Sequence, residues 1–102
     1  MHSRLSLHEE LCVLLGSRNV YFQSPENVKM EYPCIRYKLS KADAKFANNK
    51  TYSLVHGYEI IFMDKDPDMD YIAKMHSMFS NVNFERCYIA DNLNHWVFTL
   101  FY

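Results

Sequence analysis

The stretch Thr51–Asp64, Thr-Tyr-Ser-Leu-Val-His-Gly-Tyr-Glu-Ile-Ile-Phe-Met-Asp, constrains the fold more than any other part of the chain. Tyr52, Leu54, Tyr58, Ile60 and Phe62 fall on alternate positions, with His56 between them. That is the period of a β-strand with one buried face. Twelve strand residues at roughly 3.3 Å each span about 40 Å. A compact domain of this size is only about 34 Å across. A strand of this length crosses the whole domain and sets the direction of the sheet.

The remaining elements order themselves around that strand. Leu7, Leu11, Leu14 and Leu15 recur at helical spacing, Ser6 and Glu9 have the spacing of a capping box, and Gly16 supplies a stop, so a first helix is predicted over about 5–16. Leu5 would pack back on its first turn. Val20–Phe22 is a short extended piece, and Cys34–Leu39 is a strand with Ile35, Tyr37 and Leu39 inward. Ala42–Ala47 is a weaker strand candidate. Asn48 and Asn49 tolerate left-handed backbone and suit a turn, so 41–64 is predicted as a long β-hairpin whose tip carries Lys41, Lys45 and Lys50. Pro67 suits the first turn of a second helix over about 67–79, with Asp66 as cap and Asp68 and Asp70 near its positive end. Phe84–Ala90 and His95–Tyr102 close the chain as strands joined by a turn at Asp91–Asn94. Both faces of the last strand carry large residues, as in a strand that is central in its sheet or covered by a partner. The expected architecture is one α+β domain over 1–102: a mostly antiparallel sheet of four to five strands, two helices on one face, and a long protruding hairpin.

Composition bears mainly on function. The net charge is −1, with no polybasic tract, which disfavours nucleic-acid sequence recognition. No apolar run approaches the roughly 20 residues of a membrane span, and no signal peptide is expected. Cys12, Cys34 and Cys87 are odd in number and widely spaced, which fits free thiols in a reducing cytoplasm. Eight Tyr and seven Phe are many for 102 residues and serve either the core or an interface.

Chemistry-bearing patterns are weak. An EF-hand loop from Asp64 would need Gly at its sixth position and Glu at its twelfth, where the chain has Met69 and Met75. No two of the five histidines have metal-ligand spacing on a predicted helix, and two glycines cannot build a phosphate cradle. A cysteine–histidine pair of Cys87 and His95 across the last predicted hairpin is the one nucleophile arrangement on offer, and with no orienting motif it is not assigned. No catalytic, metal or cofactor residue is assigned, and no enzyme activity or cofactor is expected. One pattern points to a partner. Lys41, Lys45 and Lys50 lie at one end of the hairpin, and Asp64, Asp66, Asp68 and Asp70 at the other. Copies meeting head to tail would set unlike charges face to face and close a ring. Ordinary solvated charge is the alternative.

An ordered series of segments resembles a known family: Tyr32–Leu39, Ala47-Asn48-Asn49-Lys50-x-Tyr52, Tyr58-Glu59-Ile60, Asp64–Asp68, and Phe84-Glu85-Arg86-x-Tyr88-x-x-Asp91-Asn92-Leu93-Asn94-His95-Trp96-Val97-Phe98. Together they resemble the small tail proteins of tailed bacteriophages and prophages, of the minor capsid, head–tail joining and tail terminator type. Asn49 stands where Asp is expected in the hairpin turn, which touches no catalytic residue. The resemblance implies a structural virion assembly protein. It would be a homo-oligomer, expected as a hexameric ring, that caps the tail tube and joins it to head connector proteins, placed in the virion and in the bacterial cytoplasm during assembly. The alternative is a small cytoplasmic protein-binding module with no virion role.

Overall fold

A computed structural model describes residues 4–23, 31–42 and 56–102. The elements in chain order are α1 (Arg4–Leu15), β1 (Val20–Phe22), β2 (Cys34–Ala42), β3 (His56–Asp64), α2 (Tyr71–Met78), β4 (Val82–Ala90) and β5 (Leu93–Phe101). The five strands form one sheet in the order β1-β2-β3-β5-β4. Only the β1–β2 contact is parallel. The fold is α+β, as the sequence predicts. The molecule measures 45 × 26 × 22 Å.

Alternation along the strands builds the core. Ile35 and Tyr37 of β2, Tyr58, Ile60 and Phe62 of β3, and Trp96, Phe98 and Leu100 of β5 meet Leu7 and Leu11 of α1 and Tyr71 and Met75 of α2 in one buried cluster. Both helices therefore cover the same sheet face. Much of the aromatic excess is spent here. Phe62 stacks on Tyr71 at 4.5 Å and meets Phe98 edge-on at 5.5 Å, while Tyr71 meets Trp96 edge-on at 5.0 Å. β5 lies between β3 and β4, which explains why both of its faces are apolar. Its helix-side face is covered by the molecule's own helices and is closed to a partner.

Five local expectations are revised. Helix α1 begins at Arg4, so Ser6 is inside it rather than capping it, and its hydroxyl lies 3.0 Å from the Tyr102 hydroxyl. Leu5 is exposed instead of packed back. Gly16 does end the helix, at φ +84 with its N–H donating to Cys12 O. Helix α2 begins at Tyr71 with Asp70 as N-cap, one turn later than Pro67 suggests. Asp64 Oδ1 accepts from the Asp66 N–H and Asp66 Oδ1 from the Asp68 N–H. These side-chain turns give the backbone an alternative to helix. The β4–β5 turn is two residues, Asp91 and Asn92, both at positive φ, so β5 starts at Leu93. Strand β2 runs to Ala42 with an irregularity at Ser40, whose hydroxyl donates to Gly57 O. The hairpin tip, with the 43–47 strand candidate, the Asn48-Asn49 turn, Lys45, Lys50 and residues 51–55 of the long strand, lies outside the described residues.

The turn yields a test. Left-handed backbone costs an ordinary residue about 1–2 kcal/mol and Asn or Gly less. Asn92→Val is expected to lower stability by about that amount and Asn92→Gly to hold or raise it, read from thermal melts.

Candidate interaction surfaces

The face of the sheet turned away from the helices is laid out in rows set by strand register. Cys34, Met63, His95 and Tyr88 form one row across β2, β3, β5 and β4. Arg36, Ile61, Val97 and Arg86 form the next, and Lys38, Glu59, Thr99 and Asn83 the third. The first row is apolar and largely buried: Cys34, Met63 and His95 are 0%, 7% and 9% exposed. The third is polar, with Lys38 Nζ 3.6 Å from Glu59. A groove of about 490 Å³ crosses β2 and β3 on this side, lined by Gln23, Arg36, Lys38, Leu39, Glu59 and Ile61 among others.

His95 is a packed residue. Its Nδ1 is 3.1 Å from Leu93 O, and the Tyr88 ring stacks on it at 4.6 Å and 10°. Cys87 pairs with Trp96, and Tyr88 with His95. Because successive strand residues point to opposite faces, the Cys87 thiol and the His95 ring lie on different sides of the sheet. The two side chains are not brought together as a thiol–imidazole pair.

Burial pushes the Cys34 thiol up to about 11 from 9.0. Burial, and then the hydrogen bond to Asp64, raises Tyr71 above its ordinary 10.0. Both shifts favour the neutral form in the folded state. Their stabilisation is complete below the unfolded value and lost as pH rises through the folded one. Denaturant melts are therefore expected to hold steady through neutral pH and weaken from about pH 9 upward, with the Cys34→Ala variant declining less steeply there, because burial raises the Cys12 thiol as well.

The acidic end of the hairpin divides in two. Asp64 is 8% exposed, and its Oδ2 accepts from the Tyr71 hydroxyl at 2.5 Å. Asp66, Asp68 and Asp70 are exposed, the last accepting from the Ala73 N–H as the cap of α2. Asp64 thus holds the loop and the other three present charge. Lys41 pairs with Gly57 at the opposite end of the β2–β3 ladder. The seven steps of β3 from Gly57 to Asp64 put about 23 Å between the two ends. Lys45 and Lys50 are outside the described residues.

The sequence reading missed the outer edge of β4. All nine residues of this strand border the end of the sheet, and its middle run is exposed, with Ile89 at 74% and Tyr88 at 39%. The adjacent charges Glu85 and Arg86 are the signal that was available. A central strand in this sheet does not place two charges side by side.

Among the described residues no helix is long and apolar enough to cross a membrane. No protein-family model, curated protein or solved structure matches the chain.

Proposed function

We propose that the chain is a structural subunit of a phage virion, a tail terminator or head–tail joining protein that acts as a ring, caps the tail tube and connects it to the head. The observation that carries this reading is the separation of charge along the hairpin. Exposed Asp66, Asp68 and Asp70 lie at one end and the Lys41 position at the other, in a molecule 45 Å long whose net charge is only −1. Unlike ends on one rigid body favour head-to-tail contacts, and heterologous contacts that close make rings. The ordered resemblance to phage tail proteins supplies the tail tube and head connector as partners. The mechanism is binding.

Charge reversal tests it. Asp66→Lys with Asp68→Lys is expected to dissolve the ring into a species no larger than a dimer in sizing by light scattering. Adding Lys41→Glu, Lys45→Glu and Lys50→Glu to the same chain is expected to restore the ring. Assembly that ignores both sets overturns the head-to-tail reading.

A further inference from the structure

The edge of β4 presents backbone donors and acceptors that no strand among the described residues pairs with, because the sheet ends there. The opposite edge is the three-residue β1. Long edges are templates for another strand, and proteins that avoid this use charges, prolines or bulges. Strand β4 has one irregularity, at Glu85 between Phe84 and Arg86. From Arg86 to Ala90 it is regular, contains no proline, carries the single charge of Arg86, and includes the exposed pair Tyr88 and Ile89.

We propose that this edge pairs with the same edge of a second copy, antiparallel, about a two-fold axis through Cys87. Charge and facing select the register. A two-fold normal to the sheet keeps each side chain on its own face, so the axis passes through a residue and not between two. An axis at Glu85 or Arg86 sets each charge against its own copy. An axis at Tyr88 sets Glu85 against the partner's Asp91. An axis at Ile89 runs the pairing into the Asp91–Asn92 turn, where the backbone is left-handed. The axis at Cys87 opposes no like charges: Arg86 meets the partner's Tyr88, and Glu85 meets the partner's Ile89. Arg86 already lies 5.7 Å over the ring of its own Tyr88, so the pairing surrounds each guanidinium with aromatic faces. The small Cys87 side chain at the centre lets the strands close. Exposed Ile89 gains cover, and two five-stranded sheets become one. This contact is isologous. It is independent of the head-to-tail contacts proposed for the ring.

The cysteine at the axis is a built-in reporter. Directly opposed residues of antiparallel strands are about 4.5–5.5 Å apart at Cα, within the range a disulfide spans. Cys12 and Cys34 are buried and Cys87 is exposed. Treating the full chain with copper–phenanthroline in air, where two thiols pass two protons and two electrons to the oxidant, is expected to give a disulfide-linked dimer as the main product. Cys87→Ser is expected to give none. In the Cys87→Ser background, Arg86→Cys chains mixed with Tyr88→Cys chains are expected to cross-link to each other and not to themselves. In the Asp66→Lys, Asp68→Lys background, where the ring contacts are removed, Ile89→Pro, which removes an outward-pointing edge donor, is expected to abolish the unoxidised dimer in sedimentation, with circular dichroism reporting that the sheet is retained. If Ile89→Pro unfolds, Ile89→Lys replaces it. A chain that stays monomeric at its highest soluble concentration and cross-links no faster than free thiols in dilute solution overturns the proposal. So does cross-linking that favours Arg86→Cys or Tyr88→Cys self-pairs, which means another register. An edge variant that alters binding to tail tubes while the free chain is monomeric also overturns it and assigns the edge to another protein.

Discussion

Phe98→Ala is expected to leave little folded protein at 37 °C. Phe98 is fully buried at the centre of β5, edge-on to Phe62 at 5.5 Å and 5.4 Å from Phe84. Removing a buried phenylalanine costs about 3–5 kcal/mol through lost transfer energy and the cavity left behind. Domains of this size have only about 5–15 kcal/mol in total. The site collapses poorly, because Phe98 sits on a central strand whose backbone is paired on both sides. Phe98→Leu keeps most of the volume and is expected to cost far less. Urea melts of the two variants measure the difference. A Phe98→Ala chain as stable as the parent would mean that the two helices do not pack on β5 as described.

Asp64→Ala is the second large effect, through a different cause. The Asp64 carboxylate takes the Tyr71 hydroxyl on one oxygen and the Asp66 N–H on the other, while its backbone carbonyl accepts from Asn94 Nδ2. Truncating it leaves a buried tyrosine hydroxyl without its acceptor, at a cost of about 1–3 kcal/mol. Tyr71→Phe removes the donor and leaves the carboxylate with the Asp66 N–H, at a comparable cost. The double variant Asp64→Ala with Tyr71→Phe is expected to lose clearly less than the two single losses together, because both remove one interaction. Additive losses would mean that the two groups act separately. The same site predicts a functional distinction. Asp64→Ala acts on stability, whereas Asp68→Lys is expected to act on assembly and leave the melting temperature close to that of the parent, and Asp66→Lys to act on assembly with a small further loss from its bond to the Asp68 N–H.

The contrast between Asp64 and its neighbours marks how far the sequence can be read. Period-two alternation located Tyr58, Ile60 and Phe62 on one face, and they are the buried face of β3. Apolar residues on both faces of 95–102 pointed to a central strand, and β5 is one. Helical spacing located α1, and Gly16 its end. These signals are strong because burial repeats along an element. Where single side chains compete for the backbone, the signal fails. The alternating aspartates 64 to 70 read as a helix cap and a surface patch. They fold as side-chain turns that delay α2 to Tyr71, and one of them points inward because a tyrosine seven residues later needs an acceptor. Ser6 and Glu9 have cap spacing, yet Ser6 is inside the helix against Tyr102, a contact 96 residues apart that no local pattern encodes. The candidate surfaces show the same limit. The exposed aspartates Asp66, Asp68 and Asp70 were legible because charge clusters in sequence. The β4 edge left only the adjacent charges Glu85 and Arg86 as a trace, because an edge is defined by the absence of a neighbour, and strand order is a property of the whole sheet.

Mass by light scattering, for the chain alone and mixed with assembled phage tail tubes, tests the assembly reading most directly, with electron micrographs of the mixture. The predicted result is a closed ring several times the 12.2 kDa mass of one chain, seated at tube ends and lost when Asp66 and Asp68 become lysine. A monomer at every concentration, with bare tube ends in the mixture, would contradict it.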